Sequence, residues 1–253
     1  MFRLVVSVLL HLPTPIIFYF KMRKGIKKKK SRDERYEIAR SVVLTVNKKS
    51  RIKPSVYGEE NLPDENGYVL YPNHQGKYDG LAIVTASKKQ ITFVIDDKRS
   101  HISIEGTFMD LVEAKRIDKT KHKTTLRQIN EVGEEVKSGV NYCIFPEGGH
   151  NNNKNNLQEF YTGCFRFLHS VKCPIIPVCL YDTYKVYGIR SFKKVYCEIH
   201  ILEPIKYEEY KDLNVKEIAD LIKNRIQNKL DQLKEEKSEQ WKFRLFYIQL
   251  LYY

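Results

Sequence analysis

The chain lacks an apolar run long enough to cross a bilayer as one straight helix. Its most apolar stretch, residues 4–20 (LVVSVLLHLPTPIIFYF), falls short of the roughly 20 residues a span needs, and Pro13 and Pro15 interrupt it. A mean hydropathy of -0.48 excludes a polytopic membrane protein. No Cys-x-x-Cys is present and the five cysteines are odd in number, so no zinc-ligand spacing and no paired disulfide framework is written into the chain. Cys143, Cys164, Cys173, Cys179 and Cys197 mostly fall in apolar runs, which predicts buried, reduced thiols in a reducing compartment. Gly-x-Ser-x-Gly is also absent, which counts against a serine hydrolase. Negative charge is in deficit: 31 Asp and Glu face 44 Lys and Arg, for a net charge of +13. Such an excess implies acidic partners: anionic lipid, nucleic acid, or a phosphorylated or nucleotide-bearing substrate.

The positive charge is concentrated. Lys21, Arg23, Lys24, Lys27, Lys28, Lys29 and Lys30 follow directly on the apolar stretch. No aromatics are interleaved with them, and the neighbour is apolar, so nucleic acid is not an expected partner. Two short apolar helical pieces lying in or dipping into one leaflet fit residues 4–20 better than a straight crossing. A cleaved signal peptide fits poorly, because only Arg3 precedes the apolar run and no small-x-small site follows it. Cations flanking an apolar segment stay on the cytoplasmic side and attract anionic headgroups. The expectation is a membrane-associated protein on the cytoplasmic face; the plainer alternative is that 21–32 is a solvated linker.

The rest of the chain reads as globular, and 253 residues suffice for one sizeable core. Apolar spacing predicts helices over 33–48, 81–89, 120–137 and 163–171, and strands over 68–71, 91–95, 140–145, 174–180 and 195–202. Strands alternating with helices predict an α/β fold with a twisted, largely parallel sheet flanked by helices. Val215, Ile218, Ile222, Ile226, Leu230 and Leu233 form one stripe of a helix over 214–237. The tail from Trp241 to Tyr253 mixes aromatics with cations; it suits either a second interfacial contact or a final packing segment. Residues 151–156, nearly all asparagine, read as a surface loop. The expected organisation is an anchor over 1–50, an α/β core over 51–213, and a C-terminal helix and tail over 214–253.

Two loops carry candidate chemistry, each just past a predicted strand, where sites form in such sheets. In Asn73-His74-Gln75-Gly76-Lys77-Tyr78-Asp79, His74 and Asp79 are five apart. A straight helix would not bring them to one face, but a turn at Gly76 would. A carboxylate on one imidazole nitrogen leaves the other free to take a proton, the usual construction of a neutral-pH general base. The alternative is an unrelated loop histidine and a capping aspartate. In Phe145-Pro146-Glu147-Gly148-Gly149, proline ends the strand and the glycines leave backbone amides able to nest an anion. The alternative there is an ordinary turn with a capping glutamate. Pro174-Ile175-Ile176-Pro177-Val178 is a strand bracketed by prolines, as an edge strand would be.

The order of these motifs resembles the glycerolipid acyltransferase family, typified by 1-acyl-sn-glycerol-3-phosphate acyltransferases. The matching segments are N-H-Q-G-K-Y-D (73–79), a weaker R-I-D-K (116–119), F-P-E-G-G (145–149) and P-I-I-P-V (174–178), within about residues 58–205. The resemblance implies that His74 is the base and Asp79 its partner, that Glu147, Gly148 and Gly149 belong to the acceptor phosphate site, and that a two-helix membrane anchor precedes them. The chain departs from the family in three places. Gly149-His150 stands where Thr-Arg usually follows Pro-Glu-Gly. Phe160-Tyr161-Thr162-Gly163 lacks the usual lysine. The second block, Glu113 to Lys119, lacks the glycine-rich lead-in and the terminal arginine. His150 when protonated and Lys119 then supply the charge, without arginine's bidentate fork.

The expected activity is O-acyl transfer from acyl-CoA or acyl-carrier protein to the hydroxyl of a lysophospholipid, most simply 1-acyl-sn-glycerol-3-phosphate, in phospholipid biosynthesis. His74 and Asp79 would be catalytic, and Lys119, Glu147, Gly148, Gly149 and His150 would bind substrate. No metal and no cofactor beyond the acyl donor is expected. Alternatives are a different lysolipid acceptor, or a thioesterase or other hydrolase using the same His–Asp pair on water.

Overall fold

The structure is a computed structural model that describes residues 2–28, 30–97, 103–118, 120 and 122–251. Three helices open it: α1 (Phe2–Leu10), α2 (Thr14–Lys27) and α3 (Arg32–Lys49). Then come β1 (Ile52–Tyr57), β2 (Val69–Pro72), α4 (Asp79–Ala86), β3 (Thr92–Asp96), α5 (Ser103–Leu111), β4 (Lys115–Ile117), α6 (His122–Lys137) and β5 (Tyr142–Cys143). The remainder is α7 (Leu168–Val171), β6 (Ile175–Tyr181), α8 (Lys185–Gly188), β7 (Val195–Ile201), α9 (Tyr207–Tyr210) and α10 (Val215–Leu251).

The strands form one 7-stranded sheet in the order β1-β7-β6-β2-β5-β3-β4. Every neighbouring pair is parallel except β6 with β7. The sheet is therefore mixed, with β1 and β7 running against the other five. Successive residues of a strand point to opposite faces, and β2 shows the result. Leu70 enters the core under α2, α3, α4 and α5, while Val69 and Tyr71 enter the core under α6 and α10. Along α10, Ile218, Ile222, Ile226, Leu230 and Leu233 are all buried. Each contributes about 1.5–3 kcal/mol by leaving water, which seats the first half of the helix on the sheet.

Several local readings need revision. The proline-bracketed strand is central, between β2 and β7. Pro177 is tolerated because it lies just past the β7 pairing that ends at Val178↔Ile201, where only its carbonyl is used, accepting from Leu202 N at 3.0 Å. The helix predicted to end at 237 continues through the tail to Leu251. The cations of 21–27 lie in α2 and not in a linker. Strands β1 and β4 and helices α5, α8 and α9 were not predicted. Pro54 and a half-exposed pattern disguise the edge strand β1, and β4 is three residues of mostly charged sequence.

Helix α3 opens on a capping box: Ser31 Oγ accepts from Glu34 N, and Glu34 accepts from Ser31 N. Its Tyr36, Ala39, Val42 and Val43 pack on the sheet. Helix α1 is pinned by Arg3, which donates to Val186 O at 3.1 Å and Ser50 O at 2.9 Å. Together α1, α2 and their connection leave Val5, Leu9, Leu10, Leu12, Ile16, Ile17 and Phe20 exposed. Among the described residues, no helix is long and apolar enough to cross a membrane.

Candidate active site

The site begins where β2 stops. The Asn73 side chain continues the pairing with β6 that the backbone abandons: its Nδ2 donates to Leu180 O at 3.0 Å, and its Oδ1 accepts from Leu180 N at 2.7 Å. That frees the main chain to turn away through Gly76 and enter α4 at Asp79. Asp79 is fully buried. Its Oδ2 accepts from the backbone N–H of Gln75, from that of Gly76 at 2.8 Å, and from His74 Nδ1 at 2.8 Å. An oxygen that already receives two backbone donors is an acceptor, so Nδ1 carries the proton and Nε2 keeps its lone pair. The His74 side chain is 20% exposed, against 0% for Asp79. The pair is thus oriented from below and open above, as the sequence reading required.

The second loop closes on the first. The Phe145 ring lies 4.5 Å from the His74 ring at 34°. The His150 ring meets His74 edge-on at 5.1 Å and 77°. Glu147 is buried and does not face solvent. It is 5% exposed and accepts from His74 N at 3.0 Å and Gln158 Nε2 at 2.6 Å. Burial raises its pKa, while the hydrogen bonds from His74 and Gln158 act in the opposite direction. Gly148 is also not the open nest expected. It turns at φ +66°, where glycine is favoured, and its N–H donates to Phe145 O at 3.1 Å within the turn. Gly149 has open space beside its Cα, and its carbonyl accepts from Gln158 at 2.8 Å. Lys119 lies outside the described residues.

Four amide side chains hold the two loops together, and three escaped the sequence reading altogether. Asn153 donates to His74 O at 3.1 Å, and Gln158 bridges Glu147 and Gly149. Gln75 donates to Leu180 O at 2.7 Å and to Asn155 Oδ1 at 2.9 Å, and accepts from Thr183 Oγ1 at 2.9 Å. Asn155 also ties down Asp182 at 2.9 Å in both directions. The run 151–156 is therefore more than a surface loop: its alternate residues 153 and 155 are half-buried wedges between the site and the end of β6.

The thiols are held protonated. Burial drives up Cys143 and carries Cys197 to about 12, and the charge of Asp79 adds to both. Neither is poised as a nucleophile. What the loops offer is a carboxylate-oriented imidazole with one basic nitrogen at the carboxyl end of a buried strand.

The sequence profile of the acyltransferase family matches residues 53–181, from β1 to the end of β6, and so takes in both loops. The chain belongs to that family. It is an acyltransferase. Similar proteins include 1-acyl-sn-glycerol-3-phosphate acyltransferase alpha of Bos taurus, 24% identical over 194 residues, covering 76% of this chain and 67% of that one. The 1-acyl-sn-glycerol-3-phosphate acyltransferase of Saccharomyces cerevisiae is 26% identical over 186 residues, covering 71% of this chain and 59% of its own. That of Escherichia coli is 28% identical over 182 residues, covering 68% and 71%. The crystal structure of the 1-acyl-sn-glycerophosphate (LPA) acyltransferase PlsC from Thermotoga maritima superimposes with a TM-score of 0.68 at 17% identity, over 92% of this chain and 98% of that one. The acyltransferase therefore shares the PlsC fold.

Proposed function

We propose that this acyltransferase moves a fatty acyl group from acyl-CoA or acyl-carrier protein to the free hydroxyl of a lysophospholipid, with 1-acyl-sn-glycerol-3-phosphate as the first candidate, in phospholipid biosynthesis. The observation that carries the reading is the 2.8 Å contact from His74 Nδ1 to buried Asp79, with the His74 side chain 20% exposed. The names of the relatives support the acceptor. The acceptor hydroxyl donates to His74 Nε2. As its oxygen attacks the thioester carbonyl, the proton passes to the ring, and Asp79 stabilises the imidazolium. The tetrahedral adduct then expels the thiolate, which takes the proton from Nε2. The new ester C–O bond replaces the C–S bond, and the ring returns to its starting state.

Glu147, Gln158 and Asn153 serve this scheme by fixing the His74 backbone. His150, whose ring meets His74 edge-on, supplies charge to the acceptor phosphate when protonated, together with Lys119, in place of arginine. No cofactor beyond the acyl donor enters the scheme. The enzyme works from the cytoplasmic face of a membrane, with the exposed residues of α1 and α2 in one leaflet and Lys21, Arg23, Lys24, Lys27 and Lys28 on its headgroups. Each such cation near an anionic surface contributes about 1 kcal/mol.

The test offers a panel of lysolipids to the enzyme with an acyl-CoA donor and water as the competing acceptor. Acylated 1-acyl-sn-glycerol-3-phosphate is the expected product. Free fatty acid with no acylated lipid would make the enzyme a thioesterase, and preference for another headgroup would keep the reaction and remove the phosphate assignment.

A further inference from the structure

The apolar surface of α1 and α2 is not the only one that leaves the site end of the sheet. Helix α10 lies on β6, which ends beside the His74 loop. As α10 approaches that end, Lys234 Nζ reaches Asn156 Oδ1 at 3.3 Å, in the loop that also carries Asn153 and Asn155. One turn later Lys237 pairs with Glu198 at 2.7 Å. The helix then continues to Leu251, about 21 Å further at the usual rise of about 1.5 Å per residue, and its residues 238–243 form an exposed overhang. Arg3 fixes α1 at this same end, through Val186 just after β6 and Ser50 just before β1.

The overhang is built for lipid. Trp241 is 60% and Phe243 66% exposed. From Trp241 to Leu251 the sequence reads WKFRLFYIQLL, apolar or aromatic around the whole helix, interrupted only by Lys242, Arg244 and Gln249. A helix apolar on all sides belongs inside a protein or inside lipid. Along α10, residues 235–243 are all exposed. The helix carries two cations and no acid after Glu239, the sign that complements anionic headgroups. Tryptophan beside lysine and arginine marks the headgroup level, with the apolar residues beyond it. The overhang is too short for a hydrocarbon core of about 30 Å, so it enters one leaflet.

We infer that the C-terminal overhang of α10 is a second membrane contact, its occupant the interface of an anionic phospholipid bilayer, leaving the protein from the same end as α1 and the His74 site. The inference rests on the proposed function for the placement of α1 and α2 against lipid and for the lysolipid acceptor at His74. Its consequence is that the site end of the sheet faces the membrane, so a lysolipid acceptor reaches His74 from the bilayer.

The chain's single tryptophan makes the test direct, since its emission reports on Trp241 alone. Full-length protein is titrated with vesicles of phosphatidylcholine and phosphatidylglycerol. The expected result is a blue shift, quenching by lipids brominated on the acyl chain, and a loss of vesicle affinity of about tenfold or more in the Trp241→Ser/Phe243→Ser variant. That variant should keep its rate on a monomeric short-chain acceptor. Unchanged emission from protein that still sediments with the vesicles would overturn the inference and leave the α1–α2 anchor standing. A blue shift that grows with protein concentration without lipid would overturn it in favour of a second copy of the chain. Acyl transfer to the short-chain acceptor, measured in parallel, reads the proposed function separately.

Discussion

Asp79→Asn isolates the charge of the site from its geometry. The carboxylate Oδ2 receives three donors, from His74 Nδ1, Gln75 N and Gly76 N. Alanine would leave all three without an acceptor. At about 1–3 kcal/mol for each stranded buried group, the loss could approach the roughly 5–15 kcal/mol that holds a domain together. Asparagine can place its carbonyl where Oδ2 stands and keep the three bonds. Its amide then falls at Oδ1, a buried atom without a hydrogen-bond partner among the described residues, so the variant loses about 1–3 kcal/mol of stability. What it cannot do is stabilise an imidazolium. The expected effect on kcat is a fall of about 10²–10⁴-fold, the ordinary worth of a general base. The assay is continuous detection of the thiol released from acyl-CoA in the presence of 1-acyl-sn-glycerol-3-phosphate, alongside thermal unfolding. A folded Asp79→Asn protein that loses less than about threefold in kcat would refute the charge argument.

Gln158→Ala removes a 2.6 Å bond to Glu147 and leaves that buried carboxylate less satisfied. Because the lost bond lowered the Glu147 pKa, the variant's acid limb of kcat/KM should move to higher pH, with kcat down about tenfold; an unmoved limb would deny the link between Glu147 and the His74 loop. Glu198 is held down to about 2 by the hydrogen bond from His200, against burial, and then by Lys237. A depressed carboxylate contributes stability above its unfolded value, near the usual 4.5, and loses it as pH falls toward about 2. With Lys237 45% exposed, that contribution is discounted to about 1–2 kcal/mol. Glu198→Gln should therefore flatten the acid side of the melting curve, and an unchanged slope between those pH values would count against the pairing.

The sequence made legible what periodicity and punctuation control. The apolar run of β2, the stripe of α10 and the turn at Gly76 each follow from local rules, and the first and last of them bring His74 to Asp79. Pairing partners were less legible. Nothing local to Pro174–Val178 reveals that β7 ends opposite Pro177, which is what lets a proline strand sit in the middle of the sheet. The amide network was hidden for a different reason. Asparagine and glutamine show no hydrophobic pattern, so a run such as 151–156 looks like solvent until the fold sets Asn153 and Asn155 against His74 and β6. The glycines misled because permissive backbone was read as open backbone. In the structure the Gly148 amide is spent inside its own turn, and Glu147 turns inward to hold the histidine it follows by 73 residues.

The most direct measurement is the transfer rate of His74→Ala, with acyl-CoA as donor and 1-acyl-sn-glycerol-3-phosphate as acceptor, on protein whose circular dichroism and melting temperature match the parent. With its side chain 20% exposed above Asp79, the ring can be removed without opening the core. The predicted result is a rate lower by about 10²–10⁴-fold. A folded His74→Ala protein that keeps more than half the parent rate would contradict the assignment of His74 as the base.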